Sequence, residues 1–304
     1  MPTPRFSFAI AVYHNKIYCI GGLIANRIPM RSSSVTGAIE VYDPATDTWE
    51  VKKPMPTPRT QLEANVVNDR IYLIGGRTGG QNSTVISNEV YDPVSESWTT
   101  KTALHYPVTH PASAVVGSKI YVMGGQDEFN DPMNLDVNQI YDTVTDSWSF
   151  GARIPTDVEE SAACATSYSL GSKIYLIGGQ LKIDSTNIVQ IYNPAKDSWS
   201  VGASMPTARF GLAAAAINDA IYAIGGTDHN ILPTDQANAE NEMYTPTNEL
   251  PQSSPTPIAT PTPSGQSNSE PFPATFVILV LAAFVFAFSA GLILYLKKHR
   301  RSTP

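Results

Sequence analysis

Five times along the chain a run of consecutive apolar residues closes on a pair of glycines. Ile17-Tyr18-Cys19-Ile20 leads into Gly21-Gly22, and Ile71-Tyr72-Leu73-Ile74 into Gly75-Gly76. The same phrase ends at Gly124-Gly125, Gly178-Gly179 and Gly225-Gly226. Apolar residues at successive rather than alternating positions predict strands buried on both faces. The first glycines lie 54, 49, 54 and 47 residues apart, and self-similarity at such a period marks a propeller or solenoid array.

Each unit repeats further cues at a fixed phase. A run of small apolar residues comes first, as in Phe8-Ala9-Ile10-Ala11-Val12 and Leu212-Ala213-Ala214-Ala215-Ala216. A tight turn such as Val67-Asn68-Asp69-Arg70 or Gly117-Ser118-Lys119 joins it to the Gly-Gly strand, predicting a hairpin. A third strand ends in Val41-Tyr42-Asp43-Pro44, Val90-Tyr91-Asp92-Pro93, Ile140-Tyr141-Asp142-Thr143 or Ile191-Tyr192-Asn193-Pro194. A tryptophan follows at Trp49, Trp98, Trp148 and Trp199, which are all four tryptophans of the protein. One phase for every tryptophan predicts an aromatic packed between neighbouring units rather than a cofactor platform. Links such as Met55-Pro56-Thr57-Pro58-Arg59 then cross to the next unit, since proline cannot donate to a ladder. Four short strands, small residues inside and tryptophan outside, describe a β-propeller blade.

Gly-Gly, then Tyr-Asp-Pro, then Trp, at this period closely resembles the kelch-repeat family. The resemblance implies an all-β, kelch-type β-propeller over residues 1–250, with five recognisable blades at about 1–53, 54–103, 104–153, 154–203 and 204–250. It assigns Gly21, Gly22, Gly75, Gly76, Gly124, Gly125, Gly178, Gly179, Gly225, Gly226 and the four tryptophans to the scaffold, where glycine permits backbone that a side chain would block. Two departures stand out. Unit five has Tyr244-Thr245-Pro246 but no tryptophan after it, predicting a weak or missing outer strand. Met1-Pro2-Thr3-Pro4-Arg5 aligns with an inter-blade link, so the expectation is a chain shortened at its N-terminus, whose full ring has six blades.

The composition changes at Leu250. Residues 251–273 form a Pro/Thr/Ser-rich linker, which cannot bury a core and reads as a semi-rigid stalk. Residues 274–296 carry no charge, and the 22-residue apolar run from Thr275 to Leu296, about 33 Å long as a helix at 1.5 Å per residue, spans a bilayer. Lys297, Lys298, Arg300 and Arg301 follow in the 297–304 tail, placing the C-terminus in the cytoplasm and the propeller outside. A leader expected for that topology is missing from Met1 onward. Ala283, Ala287 and Gly291 read as ordinary lipid-facing small residues, with helix pairing the alternative. Residues 1–296 hold 16 Lys+Arg against 27 Asp+Glu, a net of −11, which argues against a nucleic-acid partner. The stalk and short basic tail suggest a prokaryotic surface protein.

If the strands run as in the family, the links and the loops after Gly-Gly open on one face, the expected binding surface. Its candidate residues are Arg27, Arg31, Arg59, Arg77, Asn82, His110, Asp127, Glu128, Phe129, Gln180, Lys182, Arg209, Asp228 and His229. Arg5, Arg59 and Arg209 each precede the first glycine by 16 residues. That shared phase favours a structural role, such as binding blade carbonyls, over ligand contact. Val108 and Ala162 stand at the equivalent count in units three and four, the latter blurred by extra residues before the inner strand.

Gln126 to Pro132 is acidic enough to suggest calcium, but it lacks an EF-hand spacing and reads as a solvated loop. Glu159-Glu160 reads as a solvated turn rather than an acid/base pair. His105 and His110 share a linker and could meet at a pocket rim, without the further ligands copper needs. Cys19 and Cys164 fall in distant units and read as buried core thiols. Asn82-Ser83-Thr84 is an N-glycosylation sequon. No cofactor, metal or catalytic set is indicated. The expected function is surface-anchored binding of a protein or glycan; the alternative is an extracytoplasmic kelch-type enzyme acting on sugars, an oxidase or sialic-acid-type epimerase.

Overall fold

The computed structural model describes residues 1–25, 33–80, 83–127, 131–134, 136–166, 171–181, 184–228 and 240–246. The stalk, span and tail expected over 251–304 lie outside them.

Four units fold as four-stranded antiparallel sheets in the order inner, second, third, outer. In blade one these strands are Ala9–Tyr13, Lys16–Ile20, Ile39–Asp43 and Thr48–Lys52. In blade two they are Glu63–Val67, Arg70–Ile74, Asn88–Asp92 and Ser97–Thr100. Blade three has Ala112–Val116, Lys119–Met123, Asn138–Asp142 and Ser147–Phe150. Blade four has Ala162–Thr166, Lys173–Ile177, Val189–Asn193 and Ser198–Val201. Blade five comprises Ala213–Ile217, Ala220–Ile224 and Asn241–Tyr244, with no outer strand among the described residues.

The Gly-Gly strand is the second of each blade, paired on both edges: Ile71 stands opposite Val66 on one side and Tyr91 on the other. Blades cover both of its faces as well, which is why Ile71, Leu73 and Ile74 are wholly buried without any alternation. The core is therefore a series of slabs between blades. Ile20, Ile39 and Val41 of blade one meet Leu73, Tyr91 and Trp98 of blade two. Trp148 and Trp199 close the next two slabs, and the inner strands of successive blades lie side by side. Trp98, Trp148 and Trp199 thus take the interblade position their phase predicted, and all four tryptophans are centred 4.9–5.1 Å from the tyrosine opposite.

The glycine pair sits where each blade meets the next linker. Gly75 has φ +66°, and a Cβ there would stand 2.7 Å from the Val108 carbonyl of blade three's linker. Gly76 donates its N–H to that same carbonyl at 2.8 Å. Gly22 to Arg59, Gly125 to Val158 and Gly179 to Arg209 repeat this stitch. Both thiols are free and buried, and burial pushes Cys19 to about 11 and Cys164 to about 12.

Two expectations change. The extra residues of unit four lie in the hairpin between Thr166 and Lys173, after the inner strand rather than before it. Val158, not Ala162, is therefore the counterpart of Val108; both are wholly buried. His105 and His110 do not meet at a rim, because His105 packs on Phe150 of the outer strand at 4.9 Å.

Candidate functional site

The links and the loops after Gly-Gly do share one face. A pair of backbone contacts in each blade ties them: Phe6 bridges Leu23, Thr60 bridges Arg77, Thr109 bridges Gln126, Glu159 bridges Gln180 and Phe210 bridges Thr227. Beyond these rungs three of the loops form short two-stranded ribbons, such as Leu23–Ala25 with Ser33–Val35.

The residue after each linker rung turns into left-handed backbone: Ser7, Gln61, His110, Glu160 and Gly211, with φ of 51°, 58°, 49°, 51° and 60°. This costs roughly 1 kcal/mol for each non-glycine residue, and a hydrogen bond from blade to blade offsets it. Gln61 N–H donates to the Ser7 carbonyl, His110 to Gln61, Glu160 to His110 and Gly211 to Glu160, over 2.8–3.3 Å. The five residues form an arc at the ends of the inner strands. Their side chains are held by a continuous backbone rail.

The middle of this arc carries the chemistry. His110 Nε2 lies 3.4 Å from Glu160 Oε1. Burial, and then the positive charge of Arg77, depress the imidazole to about 4, so it is neutral at pH 7. Glu159 is pushed up to about 7 by burial first and by Glu160 second. Nδ1 of His110 and Oε1 of Gln61 are buried with no hydrogen-bond partner among the described residues. A rigid rim presenting an imidazole, a carboxamide and a carboxylate suits polar recognition.

Of the other candidates, Arg77 bonds the Gly80 carbonyl at 2.9 Å, and Gln180 is half-buried on its rung beside Glu159. Asp228 accepts the Ser185 hydroxyl at 2.6 Å, joining the loops of blades four and five. Asp127 is buried rather than displayed. Arg27, Arg31, Asn82, Glu128, Phe129, Lys182 and His229 lie outside the described residues.

Arg59 and Arg209 do not belong to the surface. Arg59, wholly buried, donates to Glu89 Oε2 at 2.7 Å and to the Leu73 carbonyl at 3.2 Å. Arg209 does the same with Glu242 and Ala223, and Arg5 with Glu40 and Cys19. Their guanidinium groups tie the linker to the second and third strands of their own blade, the structural role their shared phase favoured.

Sequence reasoning missed the arc members Ser7 and Gln61, and it read Glu160 as a solvated turn. It also missed the three glutamates, although each stands two residues before the repeated tyrosine. That position was the available signal.

A ring segment of four-stranded blades stitched at Gly-Gly, with linkers and loops converging on one face, defines a β-propeller of the kelch class. A Kelch motif matches residues 4–56. The model of the Attractin/LZTR1 beta-propeller matches residues 32–247, and the chain belongs to that family. Among similar proteins, mouse Kelch-like protein 23 is 35% identical over 112 residues, 36% of this chain and 19% of that protein. Human Kelch-like protein 15 is 24% identical over 239 residues, 76% of this chain and 31% of its own length. The chain thus spans a third or less of these relatives. The solved structure of YjhT superposes with a TM-score of 0.69 over 81% of this chain and 82% of that one, at 16% identity, a likeness of fold.

Proposed function

We propose that this protein is an interaction module that binds a protein or glycan partner through the loop face. Residues 274–296 span a membrane, residues 251–273 form the stalk, and the propeller is displayed on the outer surface of a prokaryotic cell. The observation that carries the binding reading is the backbone-bonded arc Ser7–Gln61–His110–Glu160–Gly211, where fixed backbone presents differing polar side chains. A scaffold repeated in every blade with variable groups at one rim is how a propeller supports recognition. The apolar span and its flanking basic cluster support the anchoring.

The test uses the full chain in membranes. A photoreactive residue placed at Gln180 is expected to crosslink a partner, or a glycan-array screen to return a saturable ligand, with loss on His110→Ala. The same label at Val94, which is exposed in the outer turn of blade two, is expected to stay silent. Equal labelling from both positions rejects the loop face. Cleavage of the propeller by protease added to intact cells is the result expected for surface display; a propeller that is cut only after lysis, or only in inverted vesicles, rejects it.

A further inference from the structure

Blade three departs from the other blades at one spot on its rim. At the second and third positions of the inter-blade link the others read Pro2-Thr3, Pro56-Thr57, Pro155-Thr156 and Pro206-Thr207, whereas blade three has His105-Tyr106. Two residues past the tryptophan the other described outer strands carry Val51, Thr100 and Val201, and blade three carries Phe150. These aromatic replacements, from two separate stretches of chain, meet in the fold. Phe150 is centred 4.9 Å from His105 and 5.8 Å from Tyr106. All three side chains are exposed, Tyr106 at 47% and Phe150 at 50%.

The scaffold does not require these rings. Gln190 bonds the Thr156 backbone in blade four as Gln139 bonds that of Tyr106 in blade three, and blade four does so without an aromatic side chain. Single exposed apolar residues are ordinary, but a contiguous exposed cluster marks a recognition surface. The cluster is also held in place. Tyr106 is fixed by both bonds to Gln139, at 3.0 Å and 3.2 Å, and Pro107 restricts its backbone further. Phe150 stands opposite the same Gln139 in the ladder. Rings held this way lose little freedom when a ligand binds. They are tilted by 32° and 51° to Phe150, an open fan rather than a closed cage. The flank is polar: Arg153, largely exposed, pairs with Asp136, and its charge interacts with the Tyr106 hydroxyl.

We infer that His105, Tyr106 and Phe150 form a carbohydrate-binding platform on the rim of blade three. The C–H face of a pyranose ring, weakly positive, lies on the negative faces of the aromatic rings. Its hydroxyls both donate and accept, and so match the Arg153 guanidinium and the Asp136 carboxylate together. A cationic ligand is disfavoured by Arg153, although aromatic faces alone would attract one. A proline-rich peptide would stack on the rings but has few donors to offer Asp136. A protein interface buries about 800 Å² on each partner, far more than three half-exposed rings supply, whereas a sugar ring or two matches them in size. Phe150 lies three strand spacings from the inner strand that follows His110, about 14 Å. The platform is therefore a second surface, and it stands independently of the arc.

The test titrates the full chain, in phosphatidylcholine nanodiscs, with the methyl glycosides of glucose, galactose, mannose, xylose and N-acetylglucosamine. Saturation-transfer NMR with irradiation of the aromatic protons reports stacking directly. Saturable transfer to the pyranose C–H protons of at least one glycoside is expected, above that from empty nanodiscs. Phe150→Thr and Tyr106→Thr are each expected to weaken that binding by roughly tenfold. Both variants copy residues with which the other blades fold, Thr100 and Thr57, so loss of structure is not the expected cause, and native circular dichroism checks it. No transfer to any glycoside, or undiminished binding in either variant, overturns the inference. Loss of the signal in His110→Ala, with retention in both platform variants, moves the sugar to the arc and overturns it as well. Binding of a synthetic peptide of residues 251–263 that is lost in Phe150→Thr, with no sugar signal, assigns the rings to a proline-rich segment and likewise overturns it.

Discussion

Arg59 donates from Nη1 to Glu89 Oε2 at 2.7 Å, with the guanidinium wholly buried, and the same pair recurs as Arg5–Glu40 and Arg209–Glu242. Blades three and four keep neither member. Val108 and Val158 replace the arginine, and Gln139 and Gln190 the glutamate. The glutamine turns its carboxamide on the linker backbone instead: Gln139 Oε1 accepts from Tyr106 N–H and its Nε2 donates to the Tyr106 carbonyl, as Gln190 does with Thr156. One scaffold joint is therefore made in two chemistries that change together.

Removing one charge of a buried pair strands the other, whereas replacing both with groups that satisfy each other costs far less. Arg59→Val alone is expected to destabilise the protein by about 3–5 kcal/mol. The double variant Arg59→Val/Glu89→Gln, which copies blade three, is expected to recover at least about 2 kcal/mol of that. Urea unfolding of both single variants and the double measures the coupling; additive losses would show that the two joints are not interchangeable.

The glycine stitch predicts a sharp positional contrast. Gly75→Ala places a methyl 2.7 Å from the Val108 carbonyl oxygen at φ +66°, where backbone, not a flexible side chain, must give way. Gly117 has φ +61°, and a methyl added there would meet nothing within 4 Å, so only the left-handed backbone is penalised. Gly117→Ala is expected to cost about 1 kcal/mol and Gly75→Ala at least twice that. Comparable midpoints in thermal unfolding would remove the close-approach argument.

A carboxyl between two inner strands sets a pH dependence. Glu63 accepts the Ser113 hydroxyl at 2.8 Å, and Ser113 also meets Asn65. Burial pushes Glu63 up to about 7, partly opposed by the Ser113 bond. Its folded value lies above its unfolded one, so the folded state holds the proton more tightly. The contribution is fully present below the unfolded value near 4.5 and is lost as pH rises through about 7. Glu159 acts in the same direction. His110, held down at about 4, acts oppositely: its contribution is present above the unfolded value near 6.5 and is lost as pH falls toward 4. Between pH 7 and 8 the carboxyls dominate. Glu63→Gln is expected to be more stable than the parent at pH 8, by no more than about 3 kcal/mol, and to lose that advantage at pH 4.5. Parallel stability curves for the two proteins from pH 4.5 to 8 would place the proton elsewhere.

The repeated elements were legible because repetition averages out local ambiguity. Gly-Gly, Tyr and Trp hold one phase across units, so their strands and interblade burial could be read without a structure. The Arg–Glu joint was half legible. Arginine was seen at a fixed count, but counting back from Gly178 landed on Ala162, because the longer hairpin between Thr166 and Lys173 displaced the register. That hid the substitution of Val158 and Gln190 together. Of the arc only His110 was legible as a candidate, since Ser7, Gln61, His110, Glu160 and Gly211 share a backbone angle and no side-chain chemistry. A pattern of residue types cannot display an equivalence that exists only in φ.

The tryptophans, uniform in sequence, differ in their hydrogen bonding, and this separates packing from polar satisfaction. Trp148 donates its indole N–H to the Thr102 carbonyl at 2.8 Å, whereas the N–H of Trp98 is buried without a partner among the described residues. Both rings lie tilted by 40–41° against a tyrosine, with centroids at 4.9–5.0 Å, so replacement by phenylalanine removes similar apolar contact from each. At Trp148 it also removes one of the two hydrogen bonds that the Thr102 carbonyl accepts, leaving the one from Asn88 Nδ2 at 3.2 Å, a loss of about 1 kcal/mol beyond packing. At Trp98 it deletes an unsatisfied donor, which offsets part of the packing loss. Trp148→Phe is therefore expected to be the more destabilising of the two by about 1–2 kcal/mol in urea unfolding. Equal losses would mean that a buried solvent molecule or a shifted carbonyl already serves the Trp98 indole.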